Sequence, residues 1–229
     1  RRGRAGFALT PEGQRVYEET LRLLAAVRGF RDGIDDIHAR MGGQLAVAVF
    51  DKTASNPAAH IDAAIAAFTA EAPDVQLQLH VGSINAIERG VIDGSYQVGI
   101  IPAHRSSQSL VYTDLFTETM LLYCGAGHPL FGADHAALDW DAVRAHPFAG
   151  LGYHSPNMEL SHQARLTRSA TGFDQESIAT LVLSGRYLGF LPDHYAEGFE
   201  RQGRLQPGGP ERFFYRCPFV SLVRRPPAP

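Results

Sequence analysis

Lysine is almost absent from this chain: Lys52 stands alone among abundant arginines. Cysteine is scarce as well. Cys124 and Cys217 lie far apart, without the paired spacing of a metal site or a disulfide framework. Both fall in apolar, strand-like segments, which reads as two buried thiols. No apolar run is long enough to span a bilayer, and no signal peptide is visible, so the expectation is a cytoplasmic protein with no membrane partner. The compact motifs of common enzymes are also missing: no Gly-x-Ser-x-Gly elbow, no Gly-x-x-x-x-Gly-Lys phosphate loop, no His-Glu-x-x-His. Gly125-Ala126-Gly127 and Gly150-Leu151-Gly152 lack the third glycine of a dinucleotide fingerprint. His60, His80, His104 and His162 are scattered without ligand spacing. No catalytic residue, no metal and no cofactor is therefore expected. The formal net charge of −3 argues against nucleic-acid binding by the chain as a whole.

The informative part begins at the first residues. Arg1-Arg2-Gly3-Arg4 is a local basic exception to the acidic balance. Thr10 is a good helix N-cap, Pro11 sits where its missing N–H costs nothing, and Glu12 complements the positive end of the helix dipole. Apolar residues then recur at Tyr17, Leu21, Leu24, Val27, Phe30, Ile34, Ile37 and Met41, three or four apart, as one continuous stripe. A helix from Pro11 to Met41 would be roughly 45 Å long. Such a stripe outreaches a small domain, so pairing with a second copy is expected. Gly29 and Gly33 weaken the helix by about 1 kcal/mol each or let two backbones approach closely.

After Gly42-Gly43 the pattern alternates between strand and helix. Strands are expected at Leu45–Phe50, Val75–Val81 and Gln97–Ile101. Helices are expected at Pro57–Ala70, with Ile61, Ala64, Ile65 and Phe68 inward, and at Ser83–Ile92. This is βαβαβ, hence a parallel sheet with right-handed crossovers. Extended segments follow at Leu110–Phe116 and Thr119–Gly125. A second set comprises a helix near Asp139–Ala145, a strand at Phe148–Leu151, a helix near Met158–Ser169, a short link to a helix at Glu176–Ser184, a strand at Tyr187–Leu191 and a last strand at Phe213–Val223. Two α/β sets in 229 residues suggest two subdomains facing a cleft.

Arg-x-Gly-Arg, then Leu9-Thr10-Pro11-Glu12-Gly13 and a long helix, resembles the wing and linker helix of LysR-type transcriptional regulators. Leu45-Ala46-Val47-Ala48-Val49-Phe50 resembles the family's first effector-domain strand. Phe68…Pro73-Asp74-Val75-Gln76-Leu77…Gly82, Leu121-Leu122…His128-Pro129-Leu130 and Gly189-Phe190-Leu191-Pro192-Asp193 resemble later signatures in the same order. The resemblance covers nearly the whole chain except the winged helix-turn-helix ahead of the wing, so the sequence reads as a fragment. It implies an α/β fold of two Rossmann-like subdomains with a ligand cleft, like type 2 periplasmic binding proteins. Residues 1–9 would be a wing remnant, with Arg1, Arg2 and Arg4 touching DNA only in the full-length protein. Residues 10–43 would form the linker and dimerisation helix, 44–116 plus 195–229 subdomain I, and 117–194 subdomain II. The chain would cross between subdomains near Phe116–Glu118 and again near Pro192–His194.

In open parallel sheets, ligands bind beyond the carboxyl ends of the strands. The segment after Phe50 leads into a helix, whose N-terminus would attract anions. Thr53, Ser55 and Asn56 are the expected effector contacts there, with Lys52 as a charge partner, although Ser55 and Asn56 read equally well as helix caps. Ser83, Pro102 and His104 follow the next two strands. Tyr153 and His154 project from the second set, Tyr153 to stack on a planar ligand and His154 to hydrogen-bond or titrate. Gln175 and Glu176 open a later helix. The function expected is the effector-sensing and dimerisation part of a LysR-type regulator, a homodimer or homotetramer, with a small carboxylate as the default effector. The alternatives are a periplasmic-type solute-binding protein or a small-molecule enzyme of similar fold.

Overall fold

A computed structural model describes residues 10–22, 24, 43–133 and 138–226. Residues 11–22 are helical (α1). The Thr10 hydroxyl accepts from the Gly13 N–H at 3.0 Å, the N-cap its side chain suggests. The rest of the expected long helix, including Gly29 and Gly33, lies outside the described residues, as do Arg1, Arg2 and Arg4.

The remaining elements run β1 (Gly43–Val49), a one-turn 3-10 helix (Thr53–Ser55), α2 (Ile61–Glu71), β2 (Val75–Val81), α3 (Ile84–Asp93), β3 (Val98–Pro102), β4 (Leu110–Gly125), α4 (Trp140–Arg144), β5 (Phe148–Leu151), α5 (Pro156–Gln163), β6 (Arg168–Gly172), α6 (Gln175–Leu183), β7 (Leu188–Pro192), α7 (Asp193–Arg201), β8 (Leu205–Pro207) and β9 (Phe214–Arg224). The strands join in the order β2-β1-β3-β9-β4-β7-β5-β6, with β8 also on β4. The outer strands on each side pair in parallel: β1 with β2 and β3, and β5 with β6 and β7. The central pairings are antiparallel. Each parallel half is an α/β unit with its own core. Ile84, Ile87, Val91, Ile101, Phe219 and Leu222 fill the first; Phe148, Phe190 and Phe213, and separately Tyr123, Ile178, Val182 and Leu191, fill the second.

Strands β4 and β9 thread both halves. β9 pairs with Leu110–Asp114 and then with Thr117–Leu121, the register shifting between Asp114 and Thr117. The return crossing expected at Pro192–His194 is not where packing changes. Ala196 and Leu205 belong to the second half's core, Tyr195 and Phe199 pack against it, and β8 pairs with β4 at Tyr123–Gly125. The chain returns inside β9 instead. The charged composition of α7 hides its apolar face, because only Ala196 is fully buried on it.

Three other expectations change. The two extended segments at 110–125 are one strand, because β9 gives both a common partner. The expected long helix from Met158 ends at Gln163, and β6 follows where only a link was expected. As an edge strand with mostly exposed side chains, Arg168–Gly172 shows no apolar signature. Helix α2 starts at Ile61, not Pro57, and none of its residues is fully buried; Ile61, Ile65 and Phe68 are half-buried and Ala64 is exposed. It lies beside edge strand β2, so part of its apolar face is uncovered.

Gly125 ends β4 against α6: a Cβ there would lie 2.2 Å from the Val182 carbonyl oxygen. Backbone cannot yield cheaply, so Gly125→Ala should destabilise the chain by about 1–3 kcal/mol. In α7, a Cβ on Gly198 meets nothing within 4 Å, so Gly198→Ala should stabilise by about 0.5–1 kcal/mol. Urea unfolding of the two variants should move in opposite directions.

Candidate functional site

The loops at the carboxyl ends of the two parallel sets meet along a polar seam. After β1, the Asp51 carboxylate accepts from the Gln175 N–H at 2.7 Å, at the first turn of α6. Lys52 makes an ion pair with Glu176 and its ammonium lies 4.7 Å from the centre of the Tyr195 ring. Tyr195 donates its hydroxyl to Glu176 at 2.9 Å. Ser55 Oγ is 2.9 Å from His194 Nδ1, and Asn56 Nδ2 donates to Glu118 Oε1 at 3.3 Å. His194 Nε2 closes this cluster, 3.1 Å from the same Glu118 oxygen. After β3 and β5, the His104 and His154 rings face each other at 5.8 Å.

Asp51 is the most perturbed carboxylate in the seam. Its carboxyl is pushed up to about 6, chiefly by burial and further by the Asp174 charge, against the Gln175 and Glu176 backbone N–H groups and Lys52, which lower it. The backbone N–H groups at the start of α6 form an anion seat of the kind expected after β1, but here the occupant is the chain's own carboxylate. One oxygen, Oδ1, is buried without a partner, as are the Tyr153 hydroxyl and Gln175 Oε1. Tyr153 packs against the cores of both halves, and burial raises its hydroxyl well above the usual phenol range.

The expected site residues divide into those brought to this seam and those kept from it. Lys52, Ser55, Asn56, Tyr153 and Gln175 converge on it. Lys52 adopts a left-handed backbone with φ 64°, a conformation that costs a non-glycine residue about 1 kcal/mol and turns the chain sharply after β1. Thr53 turns inward instead: it is buried, its hydroxyl donates to the Phe50 carbonyl at 3.3 Å, and it lines a separate cavity of about 280 Å³ between β2 and α2. The helix directly after β1 is a single 3-10 turn, too short to offer an N-terminal anion site. The 3-10 turn ends at Ser55, and the N-cap of α2 is His60, so Ser55 and Asn56 do not cap that helix. Ser83 is the half-buried N-cap residue of α3 but makes no side-chain cap bond, and Pro102 is buried in β3 against Phe219. His104 is held by the Pro102 carbonyl and lies 3.8 Å from the buried Glu88; burial lowers its basicity. His154 is exposed beside Glu159 at 3.5 Å.

Sequence reasoning missed Asp51, Glu118, His194 and Tyr195. A carboxylate two residues beyond β1 was a signal for Asp51; Glu118 fell at the expected crossing between two extended segments, with nothing to mark it as a site residue. Glu118 and His194 line a second seam cavity of about 410 Å³ with Asn56, Thr117, Glu197 and Glu200. Both cysteines are free and buried. Burial raises the Cys124 thiol to about 11 and Cys217 higher still, the opposite of a reactive thiolate.

Because the folded-state value of Asp51 lies above the unfolded value near 3.9, the folded chain binds this proton more tightly. The contribution of Asp51 to stability is fully present below about pH 4 and is lost as pH rises through about 6. Asp51→Asn keeps an acceptor for the Gln175 N–H and removes the buried charge. It should stabilise the chain by about 1–3 kcal/mol at neutral pH, with the gain fading towards pH 4. Urea titrations across that range, followed by the fluorescence of Trp140, test it; a loss of stability at neutral pH would mean that the charge itself clasps the seam.

Comparison with known proteins places the chain among its relatives. The LysR substrate binding domain family matches residues 38–226. The HTH-type transcriptional activator BauR of Pseudomonas aeruginosa is 36% identical over 224 residues, covering 98% of this chain and 73% of that protein. The cofactor-binding domain of the Cbl transcriptional regulator superposes with a TM-score of 0.65 at 19% identity, over 82% of this chain and 83% of that one. Full-length CbnR in complex with its target DNA superposes with a TM-score of 0.58 at 17% identity, over 97% of this chain and 78% of that one. At those identities the two structures establish the fold, of the periplasmic-binding-protein-like type. The family match over most of the residues, together with BauR, establishes the kinship: this chain belongs to the LysR-type transcriptional regulators and carries their effector-binding domain.

Proposed function

We propose that the chain senses a small molecule at the seam between its two halves and passes the result to DNA-binding heads in the full-length regulator. The observation that carries this reading is the composition of the seam. Each half has a dry core of its own, whereas the loops between them meet through Asp51–Gln175, Lys52–Glu176, Ser55–His194 and Asn56–Glu118. Such polar contacts are each worth about 1 kcal/mol net and can be exchanged for contacts with a ligand. A molecule that binds one relative orientation of the halves more tightly shifts the population towards it. The two halves are the proposed subdomains, with their return crossing inside β9. Lys52, Ser55, Asn56, Tyr153 and Gln175 are the proposed effector contacts, with Ser83, His104 and His154 at the rim and the buried Pro102 and Thr53 supporting the loops from beneath. A carboxylate is the proposed chemistry for the end of the effector near Lys52, which would exchange Glu176 for it.

The proposed assembly is a homodimer or homotetramer. Its support is uncovered apolar surface: Val16, Tyr17, Leu21 and Leu24 on α1, and Leu79 and Val81 on β2 beside α2, are all exposed. DNA contact by Arg1, Arg2 and Arg4 in the full-length protein, a cytoplasmic location and the lack of a catalytic role belong to the same proposal. Kinship with a transcriptional activator over nearly the whole chain favours it over a solute-binding protein or an enzyme.

In the full-length regulator, Ser55→Ala and Gln175→Ala should each weaken the effector-dependent change in reporter transcription roughly tenfold in effector concentration. Glu211→Gln, exposed and away from the seam, should not. An unaltered response in both seam variants would remove the site assignment. For the assembly, Leu21→Glu combined with Val81→Glu should shift the mass measured by light scattering towards the single chain; an unchanged mass would place the contact elsewhere.

A further inference from the structure

We infer that the effector carries an ammonium group and that Asp51, Tyr153 and Gln175 receive it. This rests on the seam being the sensing site and adds the chemical class of what is sensed. Three oxygens supply the argument: Asp51 Oδ1, the Tyr153 hydroxyl and Gln175 Oε1 are each buried without a hydrogen-bond partner. They come from three separate segments, the ends of β1 and β5 and the start of α6. Asp51 touches the α6 backbone directly, and its charge acts on Tyr153. Gln175 is only 4% exposed. Unpaired buried polar atoms are costly, at about 1–3 kcal/mol each, and all three can accept. An ammonium group offers three N–H donors and no acceptor, the complement of such acceptors.

The charges point the same way. The start of α6 carries about half a positive charge, against the full negative charges of Asp51 and Asp174 beside it. Lys52 and Glu176 neutralise each other. An anion entering here would meet three oxygens, a negative balance and a helix terminus already filled by Asp51. A cation would keep the Asp51–Gln175 contact at Oδ2, occupy Oδ1, and relieve the cost of burying the carboxylate. Since Asp51 belongs to the first half and Tyr153 and Gln175 to the second, a bound ammonium draws the halves together.

The test uses the whole chain and three series of short aliphatic probes: monoamines, monocarboxylates and α,ω-aminocarboxylates, with aromatic acids and sugars as a fourth group. Calorimetry should find saturable binding among the ammonium-bearing probes, strongest in the aminocarboxylates. Asp51→Asn should weaken it by roughly tenfold or more and Tyr153→Phe by several-fold, while Glu211→Gln has no effect. Uptake should also release protons between about pH 4 and 6, because an adjacent cation lowers the Asp51 carboxyl. If ammonium probes bind with parent affinity to both Asp51→Asn and Tyr153→Phe, the assignment is overturned. Binding confined to nitrogen-free carboxylates, aromatic acids or sugars also overturns it, while leaving the sensing seam intact. Binding by no group would sink the seam reading as well.

Discussion

The antiparallel pair of β4 and β9 is the constraint on which the other features depend. These strands are hydrogen-bonded to each other in both halves, and the chain passes between the halves only along them. Parallel strands need helical crossovers, so β1–β3 and β5–β7 each close into a self-sufficient α/β unit. The antiparallel pair then sets those units side by side in one sheet. That arrangement turns the carboxyl ends of both parallel sets towards each other. The register shift between Asp114 and Thr117 lies where β4 leaves one half for the other.

The seam is built differently from the cores it separates. Cores here are aromatic and aliphatic, with Phe148, Phe190, Phe213 and Phe219 fully buried. The seam holds carboxylates, histidines, one lysine and a tyrosine that reaches into both cores. It also holds three buried oxygens without partners, Asp51 Oδ1, the Tyr153 hydroxyl and Gln175 Oε1. A fold that only needed to hold two halves shut would place apolar groups there, since unpaired buried polar atoms oppose closure. Under the proposed function, those atoms are the ones that a ligand of matching chemistry would satisfy.

Much of the architecture was legible in the sequence. The edges of β2 and β5 follow directly from their apolar runs, and α3, β3 and α4 differ from expectation by a residue or two. The failures share a cause. β6 is an edge strand with an exposed polar face, α7 hides a narrow apolar stripe among charges, and Pro57–His60 looked helical because nothing in its pattern marks a left-handed residue at His60. The site was legible by class and not by member. The rule that ligands sit beyond strand ends pointed to loops that the structure brings together, but whether Thr53 points out or in depends on a single hydroxyl finding the Phe50 carbonyl.

Sequence alone determined what hydrophobic period and helix chemistry can specify: two α/β sets, the Thr10 cap, two buried thiols and the loops that carry the chemistry. Those are local properties, set within a few residues by side-chain spacing and backbone preference. Tertiary structure decided which distant groups meet. It put Asp51 on the first turn of α6, 124 residues away, gave Lys52 to Glu176, and moved the return crossing into β9. No local pattern encodes such pairings, because they arise only when two separately folded halves are held face to face by one shared pair of strands.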